Sequence, residues 1–364
     1  MRACIVGGGL AGSLLAWRLA QATTWQLDLV VGERRPLDAT AASGGAVRAF
    51  EAHPEQRRLA TVSMVELLAS STLRQWADFR RVDSVCLRRD ADGLAAVAAD
   101  IELLLPGSVQ VIDAAELERH GWAELHPGGA AVVEYRAGYT SPSRLRDAVL
   151  ADGVVRKRVS VLQTAVEGIA PRDNGSIGCL VAGRSRDYDL VVVAAGAWTP
   201  ALLGSSGLPA DAYRTKSIQY TVYPVGDWCP PMFMDEVTGL YGRPTADGGL
   251  LLGVPSDEWN VDPDWPPTTP GLHDEAARLA KARFPKLQLG PATRQVGSAD
   301  CYSDQPILSL RDVIDTDHQL FTFSGGSGGS VKTALAASHR AAVQLVEPGQ
   351  STELTSVGRR KGQP

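Results

Sequence analysis

A glycine-rich run near the start of the chain, Gly7 to Gly12, has the spacing GxGxxG. Gly7 permits a tight turn, Gly9 lets a pyrophosphate approach the backbone, and Gly12 lets a helix pack closely on a strand. Free N–H groups at the start of the following helix attract phosphate. Glu33 stands about twenty residues further on, where a carboxylate accepts hydrogen bonds from ribose hydroxyls. The spacing predicts a dinucleotide site, with a chance glycine-rich turn as the alternative, and it does not separate FAD from NAD.

Three further segments favour FAD. Val191–Trp198 is an apolar strand that ends in Ala195-Gly196, where backbone must pass close to a cofactor. Gly138–Pro142 precedes a mid-chain helix. Ser324–Gly329 follows a strand and opens a helix, so its N–H groups can surround the carbonyl edge of a flavin ring, where electron density rises on reduction. Each segment alone could be an ordinary loop, but their order along the chain selects FAD.

The elements around the glycine run form a β-α-β unit. Ala3–Val6 is predicted to be a buried parallel strand, Ser13–Ala22 a helix, and Leu27–Val31 a second strand. Further helices are predicted at Pro54–Phe79 and, with Ser141 as a cap, at 141–150.

The middle of the chain changes pattern. From Ser217 to Gly253 apolar and polar residues alternate, which is typical of antiparallel strands. Helices are predicted at His273–Phe284 and Val331–Val346, and the polar tail 351–364 is predicted to be disordered. The predicted fold class is therefore α/β, with a Rossmann-like domain interleaved with an antiparallel-sheet α+β domain.

Composition excludes several classes of protein. The 364 residues carry a net charge of -5, which gives no reason to expect nucleic acid or an anionic membrane as a partner. The five cysteines are scattered without CxxC spacing, and the six histidines lack paired-ligand spacing. We therefore expect no disulfide framework, no metal, and a reducing, cytoplasmic location. No Ser-His-Asp order or nucleophile elbow is present, which disfavours a hydrolase.

The chain resembles the D-amino-acid oxidase and glycine oxidase superfamily over residues 2 to 346. Within it the chain is most similar to the monomeric sarcosine oxidase and N-methyltryptophan oxidase branch. The features that carry this likeness are Gly249–Gly253, Cys301 and Lys332, in that order. In that branch a cysteine at the matching place bonds covalently to the flavin, and a lysine in the final glycine-rich segment helps to hold the substrate carboxylate.

The resemblance implies two domains through which the chain passes more than once. The FAD-binding domain is expected at 1–80, 140–215 and 296–350, and the substrate domain at 81–139 and 216–295. Lys332, Arg48 and Glu51 are the catalytic candidates. The residues predicted to bind the cofactor are Gly7, Gly9, Ala11, Gly12, Glu33, Arg34, Ser43, Gly44, Arg48, Val166, Ala195, Gly196, Trp198, Cys301, Gly325, Gly326, Gly328 and Lys332.

The departures from the branch bear on mechanism. Its Ser-His-His-Gly-x-x-Arg loop here reads Ser43-Gly44-Gly45-Ala46-Val47-Arg48, which keeps only the arginine. The arginine that binds the substrate carboxylate in that branch is replaced here by Glu51. If Glu51 faces the site, it favours a substrate with a cationic or hydrogen-bond-donating group. The alternative is that Glu51 is a solvated surface residue. The lysine that activates oxygen aligns with Leu251, and no lysine lies between Lys216 and Lys281.

These observations predict FAD-dependent oxidation of an amine or amino-acid-derived C–N bond to an imine. A hydride equivalent passes to flavin N5, and the substrate is a specialised small molecule rather than sarcosine. The electron acceptor is oxygen or another compound. Two alternatives stay open: a flavin dehydrogenase with a non-oxygen acceptor, suggested by Leu251, and a non-catalytic FAD-binding partner protein.

Overall fold

The computed structural model describes residues 1–33, 38–314, 318–326 and 328–347, so Arg34 and the 351–364 tail lie outside the described residues. Within these ranges there are twenty strands and eleven α-helices, with 3-10 helices at Gly196–Trp198 and Ser330–Thr333. The strands are β1 (Arg2–Val6), β2 (Gln26–Val31), β3 (Ala46–Val47), β4 (Arg80–Arg81), β5 (Ser84–Arg88), β6 (Val109–Asp113), β7 (Ala130–Glu134), β8 (Gly138–Tyr139), β9 (Val159–Gln163), β10 (Val166–Pro171), β11 (Ile177–Val181), β12 (Arg184–Tyr188), β13 (Leu190–Val193), β14 (Tyr213–Pro224), β15 (Met232–Asp235), β16 (Tyr241–Pro244), β17 (Gly249–Gly253), β18 (Arg294–Ser303), β19 (Arg311–Asp312) and β20 (Gln319–Thr322). The helices are α1 (Leu10–Ala22), α2 (Ala39–Ala42), α3 (Pro54–Ala69), α4 (Ser71–Trp76), α5 (Leu94–Glu102), α6 (Ala114–Arg119), α7 (Pro142–Ala151), α8 (Gly153–Arg158), α9 (Thr199–Ser205), α10 (Leu272–Arg283) and α11 (Ala334–Val346).

The first sheet has the strand order β19-β20-β13-β1-β2-β9, and its pairs are parallel except β19–β20. Strand β1 is apolar on both faces because both are covered. Ala3 and Ile5 pack in the core that includes helices α1 and α11, whereas Cys4 and Val6 pack in the core that includes strands β10 and β11. This sheet confirms the predicted Rossmann-like fold.

The second sheet has the order β18-β14-β17-β16-β15-β5-β7-β6 and is antiparallel except where β5 pairs with β15. Leu250 and Leu252 of β17 point into the core that contains Ala276 and Ala280 of α10. Leu251 points to the other face because side chains alternate along a strand. That face forms one wall of the cavity described below.

The second sheet contains one long antiparallel pair at its edge. Strands β14 and β18 pair continuously from Tyr213 opposite Ser303 to Val222 opposite Arg294. The expected domain boundaries at 215/216 and 295/296 fall inside these two strands. The division into domains stays a prediction.

Local sequence signals account for most helix boundaries. Helix α7 begins at Pro142, and the Ser141 hydroxyl accepts a hydrogen bond from the Arg144 N–H, as predicted. The helix expected across Pro54–Phe79 is divided at Ser70, whose hydroxyl accepts from the Leu73 N–H at 3.1 Å and caps α4. Helix α1 begins at Leu10, three residues before the predicted Ser13.

Candidate active site

The turn between β1 and α1 is closed by backbone packing that only glycine allows. Gly7 has φ +121°, and a Cβ there would lie 2.3 Å from the Ala194 carbonyl oxygen. A Cβ on Gly12 would lie 2.1 Å from the carbonyl oxygen of Gly7. At Gly9 the nearest atom to such a Cβ is Thr40 Oγ1, 3.4 Å away, so Gly9 borders open space at the helix terminus. This cradle fits a pyrophosphate, because backbone N–H groups are exposed beside a space that a side chain would fill.

A threonine and an arginine complete the cradle, and sequence reasoning missed both. Thr40 Oγ1 accepts a hydrogen bond of 3.0 Å from the Leu10 N–H, which fixes α2 against the first turn of α1. Arg146 of α7 is 6% exposed, lines the same space, and lies 3.6 Å from Asp38 through Nη1. No motif marks either residue, since each reaches the site through tertiary packing.

One cavity of about 1330 Å³ extends from this cradle to the second sheet. The predicted site residues that line it are Gly7, Gly9, Ala11, Glu33, Ser43, Gly44, Arg48, Glu51, Val166, Ala195, Gly196, Trp198, Cys301, Gly325, Gly328 and Lys332. Gly12 and Gly326 are not on its wall: Gly12 packs beneath the turn, and Gly326 holds a bend with φ +104°. Arg34 lies outside the described residues.

A buried ion cluster occupies the wall beside the Ser43–Arg48 loop. Glu51 Oε1 lies 3.2 Å from Arg48 Nη2, and the same oxygen pairs with Lys332 Nζ. The Glu51 side chain is 13% exposed, so it is not a solvated surface residue. Burial alone would raise the pKa of Glu51, but the charges of Lys332 and Arg48 outweigh it and hold that pKa below its ordinary value. Burial also lowers the pKa of Lys332.

Glu134, which the sequence did not reveal, stabilises the backbone segment that carries part of this cluster. Its Oε1 accepts hydrogen bonds from the N–H groups of Ala49 at 2.6 Å and Phe50 at 3.1 Å. The side chain is buried, and burial raises its pKa despite the nearby charge of Arg48. Glu134 therefore fixes the backbone between Arg48 and Glu51. A carboxylate that ends the apolar run of β7 is the sequence signal that could have revealed it.

The cavity-facing side of the second sheet is polar and aromatic. Tyr220, Tyr241 and Tyr302 all line the cavity, and the Tyr241 hydroxyl donates to the Gln219 carbonyl at 3.0 Å. Asp300 lies on the same wall, and burial raises its pKa to about 6. Sequence reasoning missed Asp300, because an aspartate within a strand carries no motif of its own.

Cys301 follows Asp300 and is 1% exposed. Burial and, next, the charge of Asp300 raise the pKa of its thiol to about 12. Because the thiolate is the reactive form, the free thiol is weakly nucleophilic at neutral pH. Cys301 borders the cavity, as covalent attachment to the flavin requires, but the bond itself stays a prediction.

The family model for FAD-dependent oxidoreductases named DAO matches residues 2–343. The chain belongs to this family. It is thus an FAD-dependent oxidoreductase, and the cofactor predicted from the glycine segments is confirmed. No curated protein matches the chain in sequence.

Solved structures share the DAO fold at low sequence identity. Glycine oxidase from Geobacillus kaustophilus is 19% identical, with 99% of this chain and 100% of that chain covered and a TM-score of 0.76. L-proline dehydrogenase from P. horikoshii is 18% identical, with 97% and 95% covered and a TM-score of 0.77. L-alpha-glycerophosphate oxidase from Mycoplasma pneumoniae, solved with FAD bound, is 16% identical, with 95% and 94% covered and a TM-score of 0.77. The superfamily resemblance is confirmed, and membership of the sarcosine oxidase branch stays a prediction.

The described residues of this DAO-family chain include no helix that is long and apolar enough to cross a membrane. Within the same ranges, no group of three or more His, Cys, Asp or Glu side chains could hold a metal ion.

Proposed function

We propose that this enzyme oxidises a C–N bond of a small amine or amino-acid-derived substrate to an imine. The observation that carries the proposal is the Arg48–Glu51–Lys332 cluster on the wall of the FAD cavity. One carboxylate pairs with both cations and halves their net positive charge, so this part of the wall attracts a substrate carboxylate less strongly than a bare Arg–Lys pair does. It can instead accept hydrogen bonds from an amine.

FAD, when bound, supplies the oxidising step by accepting a hydride equivalent from the carbon beside the nitrogen. The residues of this chain orient the substrate and exclude water. The cradle at Gly7–Gly12, with Arg146 beside it, holds the pyrophosphate. Arg48, Glu51 and Lys332 line the wall that faces the substrate, and Glu134 holds the segment that carries two of them. A substrate amine that binds in its neutral form requires no separate base, which agrees with a wall that presents no histidine among its described residues.

Similar structures support this class of reaction without defining the substrate. The printed names of these proteins include oxidases and a dehydrogenase of amino acids, and also an oxidase of a glycerophosphate. Glu51 and the loss of the loop histidines support a specialised substrate rather than sarcosine.

An anaerobic reduction assay tests the proposal. Purified holoprotein is mixed with primary, secondary and cyclic amines and amino acids, and the visible absorption of the flavin is followed. We expect at least one amine to bleach it, while the matched alcohols do not. Bleaching by alcohols alone would contradict C–N oxidation, and no bleaching by any compound would favour the non-catalytic alternative.

A dehydrogenase that uses an acceptor other than oxygen is the second candidate, and Leu251 favours it. This leucine is 2% exposed and lines the cavity. Turnover with an artificial quinone acceptor that greatly exceeds turnover with oxygen would identify this second candidate.

A further inference from the structure

Asp300 is a carboxylate of β18 that faces the FAD cavity. It is half-buried and lines the cavity beside Cys301, and its Oδ1 accepts a hydrogen bond of 2.9 Å from the Cys301 N–H. Its Oδ2 lies 3.9 Å from the position that a Cβ on Gly328 would occupy. The carboxylate therefore points towards the glycine-rich segment that is predicted, like Cys301, to lie against the flavin ring.

The carboxylate of Asp300 has no cationic partner. Lys216 stands directly opposite Asp300 in the β14–β18 pair. The ammonium group of Lys216 lies instead over the Trp259 ring, 4.5 Å from the ring centre, and 5.9 Å from the ring centre of Tyr302. Among the described residues Asp300 makes no ion pair, and its Oδ2 accepts no hydrogen bond. One oxygen of this carboxylate is therefore open to the cavity.

The titratable groups around Asp300 leave it close to protonation. Lys216 faces it from β14, and Cys301 and Tyr302 follow it on β18, while the described residues of the glycine-rich segment carry no charge. Burial raises the pKa of Asp300 to about 6, and the hydrogen bond from the Cys301 N–H opposes this shift. A cofactor in the cavity excludes more water, which acts in the same direction as burial. At neutral pH the group is therefore ionised but easily protonated.

Reduction of the flavin changes the charge that Asp300 meets. A hydride equivalent brings one negative charge into the cavity. A negative charge nearby raises the pKa of a carboxyl group, and the effect is large where water is excluded. Glu51 responds less, because its ion pairs with Arg48 and Lys332 keep it ionised. Asp300, which lacks such pairs, is the carboxylate of the cavity wall that is best placed to be protonated on reduction.

We propose that Asp300 is the proton acceptor of this cavity, which takes up a proton from solvent when the flavin is reduced and releases it when the flavin is reoxidised. Reduction then brings two electrons and one proton to the flavin as a hydride equivalent, and a second proton to Asp300. On reoxidation the acceptor, oxygen or a quinone, receives both electrons and both protons and becomes hydrogen peroxide or a quinol. The net charge of the cavity stays constant through the cycle. The inference depends on FAD binding and not on the identity of the substrate.

A spectroelectrochemical titration of the holoprotein from pH 5 to pH 9 tests the proposal without turnover. Above about pH 6 the midpoint potential of the wild-type flavin should fall with pH more steeply than that of Asp300→Asn, by one proton per two electrons. Asp300→Glu keeps a carboxyl group and should keep most of this difference. Asp304→Asn is the matched control and should behave as wild type, because Asp304 is exposed, pairs with Arg311 and does not line the cavity.

Reduced-minus-oxidised infrared spectra give a second readout. In wild-type protein the C=O band of a protonated carboxyl group should appear on reduction, and it should be absent from Asp300→Asn. Equal pH slopes in wild type and Asp300→Asn, or an equal loss of slope in Asp304→Asn, would overturn the proposal. A potential that Asp300→Asn raises by the same amount at every pH would indicate a fixed charge and would also contradict it. If Asp300→Asn takes up no FAD, the wild-type band decides, since its absence refutes proton uptake and its shift in Asp300→Glu supports it.

Discussion

The carboxylate of Glu51 forms an ion pair with the ammonium group of Lys332, although the two residues lie 281 positions apart. The pair joins the loop after β3 to the 3-10 helix that precedes α11, and both segments line the cavity. The same carboxylate also binds Arg48, so one side chain pairs with both cations of this part of the cavity wall.

Replacing Glu51 by Gln should destabilise the protein by about 3 kcal/mol at neutral pH, because two buried cations lose their anion. The folded-state pKa of Glu51 is lowered, so its stabilisation is complete above the ordinary carboxyl pKa and is lost as the pH falls through the folded value. The difference in free energy of unfolding between Glu51→Gln and wild type, measured by urea unfolding, should therefore become smaller as the pH falls below about 4. Glu55→Gln, which breaks the more exposed pair with Arg340, should cost less than about 1 kcal/mol. Equal costs for the two variants would contradict the central role of Glu51.

Gly9→Val should abolish FAD binding while the protein stays folded. A side chain at Gly9 would meet little protein, with only Thr40 Oγ1 at 3.4 Å, and would occupy the space for the pyrophosphate. Flavin content after reconstitution is the measurement, with circular dichroism to check folding. Gly153→Val is the control, because a Cβ there also borders open space, but Gly153 opens α8, none of whose residues lines the cavity. Normal flavin content in Gly9→Val would show that the phosphates lie elsewhere.

Attachment of the flavin through Cys301 predicts that acid-precipitated protein stays yellow and that Cys301→Ala releases the colour. The partly exposed Cys229 provides the comparison, and Cys229→Ala should leave the flavin attached. A thiol whose pKa is raised to about 12 reacts slowly, so we expect attachment to be faster at alkaline pH during reconstitution. Wild-type flavin that is wholly soluble after precipitation would refute attachment and leave the fold assignment untouched.

Leu251→Lys should speed reoxidation of the reduced protein by oxygen. Electron transfer to oxygen creates negative charge beside the flavin, and a nearby ammonium lowers that barrier, with about 1.36 kcal/mol for each tenfold gain in rate. Stopped-flow mixing of photoreduced protein with oxygenated buffer measures the rate, and Leu251→Met is the uncharged control. An ordinary oxidase rate in wild type that Leu251→Lys leaves unchanged would refute this account.

Asp300→Asn should stabilise the protein above pH 6 and have little effect near pH 4. Burial raises the folded-state pKa of Asp300 to about 6, so folding favours its protonated form. The stabilisation contributed by protonated Asp300 is fully present below the carboxyl pKa of the unfolded chain. It is lost as the pH rises through the folded-state pKa. Urea unfolding from pH 4 to pH 8 should show the two proteins diverging across this range. Parallel curves would mean that the pKa of Asp300 in the folded protein equals its value in the unfolded chain, and they would contradict this prediction.

The sequence predicted the parts of the structure that depend on neighbouring residues. The β1–α1–β2 unit carries its own turn chemistry, and α7 carries its own cap, so both could be predicted from short windows. The pairing of β5 with β15 joins residues 84–87 to 232–235, and no local pattern specifies such a partner.

The candidate site shows the same division between local and long-range information. The glycines and Arg48 were predicted, whereas Glu134, Arg146 and Asp300 were missed. Each of these three is a charged residue inside an ordinary strand or helix. Its role depends on what the tertiary fold places opposite it, such as the Ala49 and Phe50 N–H groups opposite Glu134.

The position of β1 inside the first sheet also governs how the chain folds during synthesis. β1 is synthesised long before two of the elements that cover its unit: its partner β13 begins at residue 190, and helix α11, which packs on α1, begins at residue 334. A nascent chain therefore emerges from the ribosome with an unpaired strand edge and an uncovered apolar helix for most of its translation. Such non-local pairing slows folding and leaves aggregation-prone apolar surface exposed. We expect the growing polypeptide to depend on chaperones that shield the β1–α1–β2 unit until helix α11 has been synthesised.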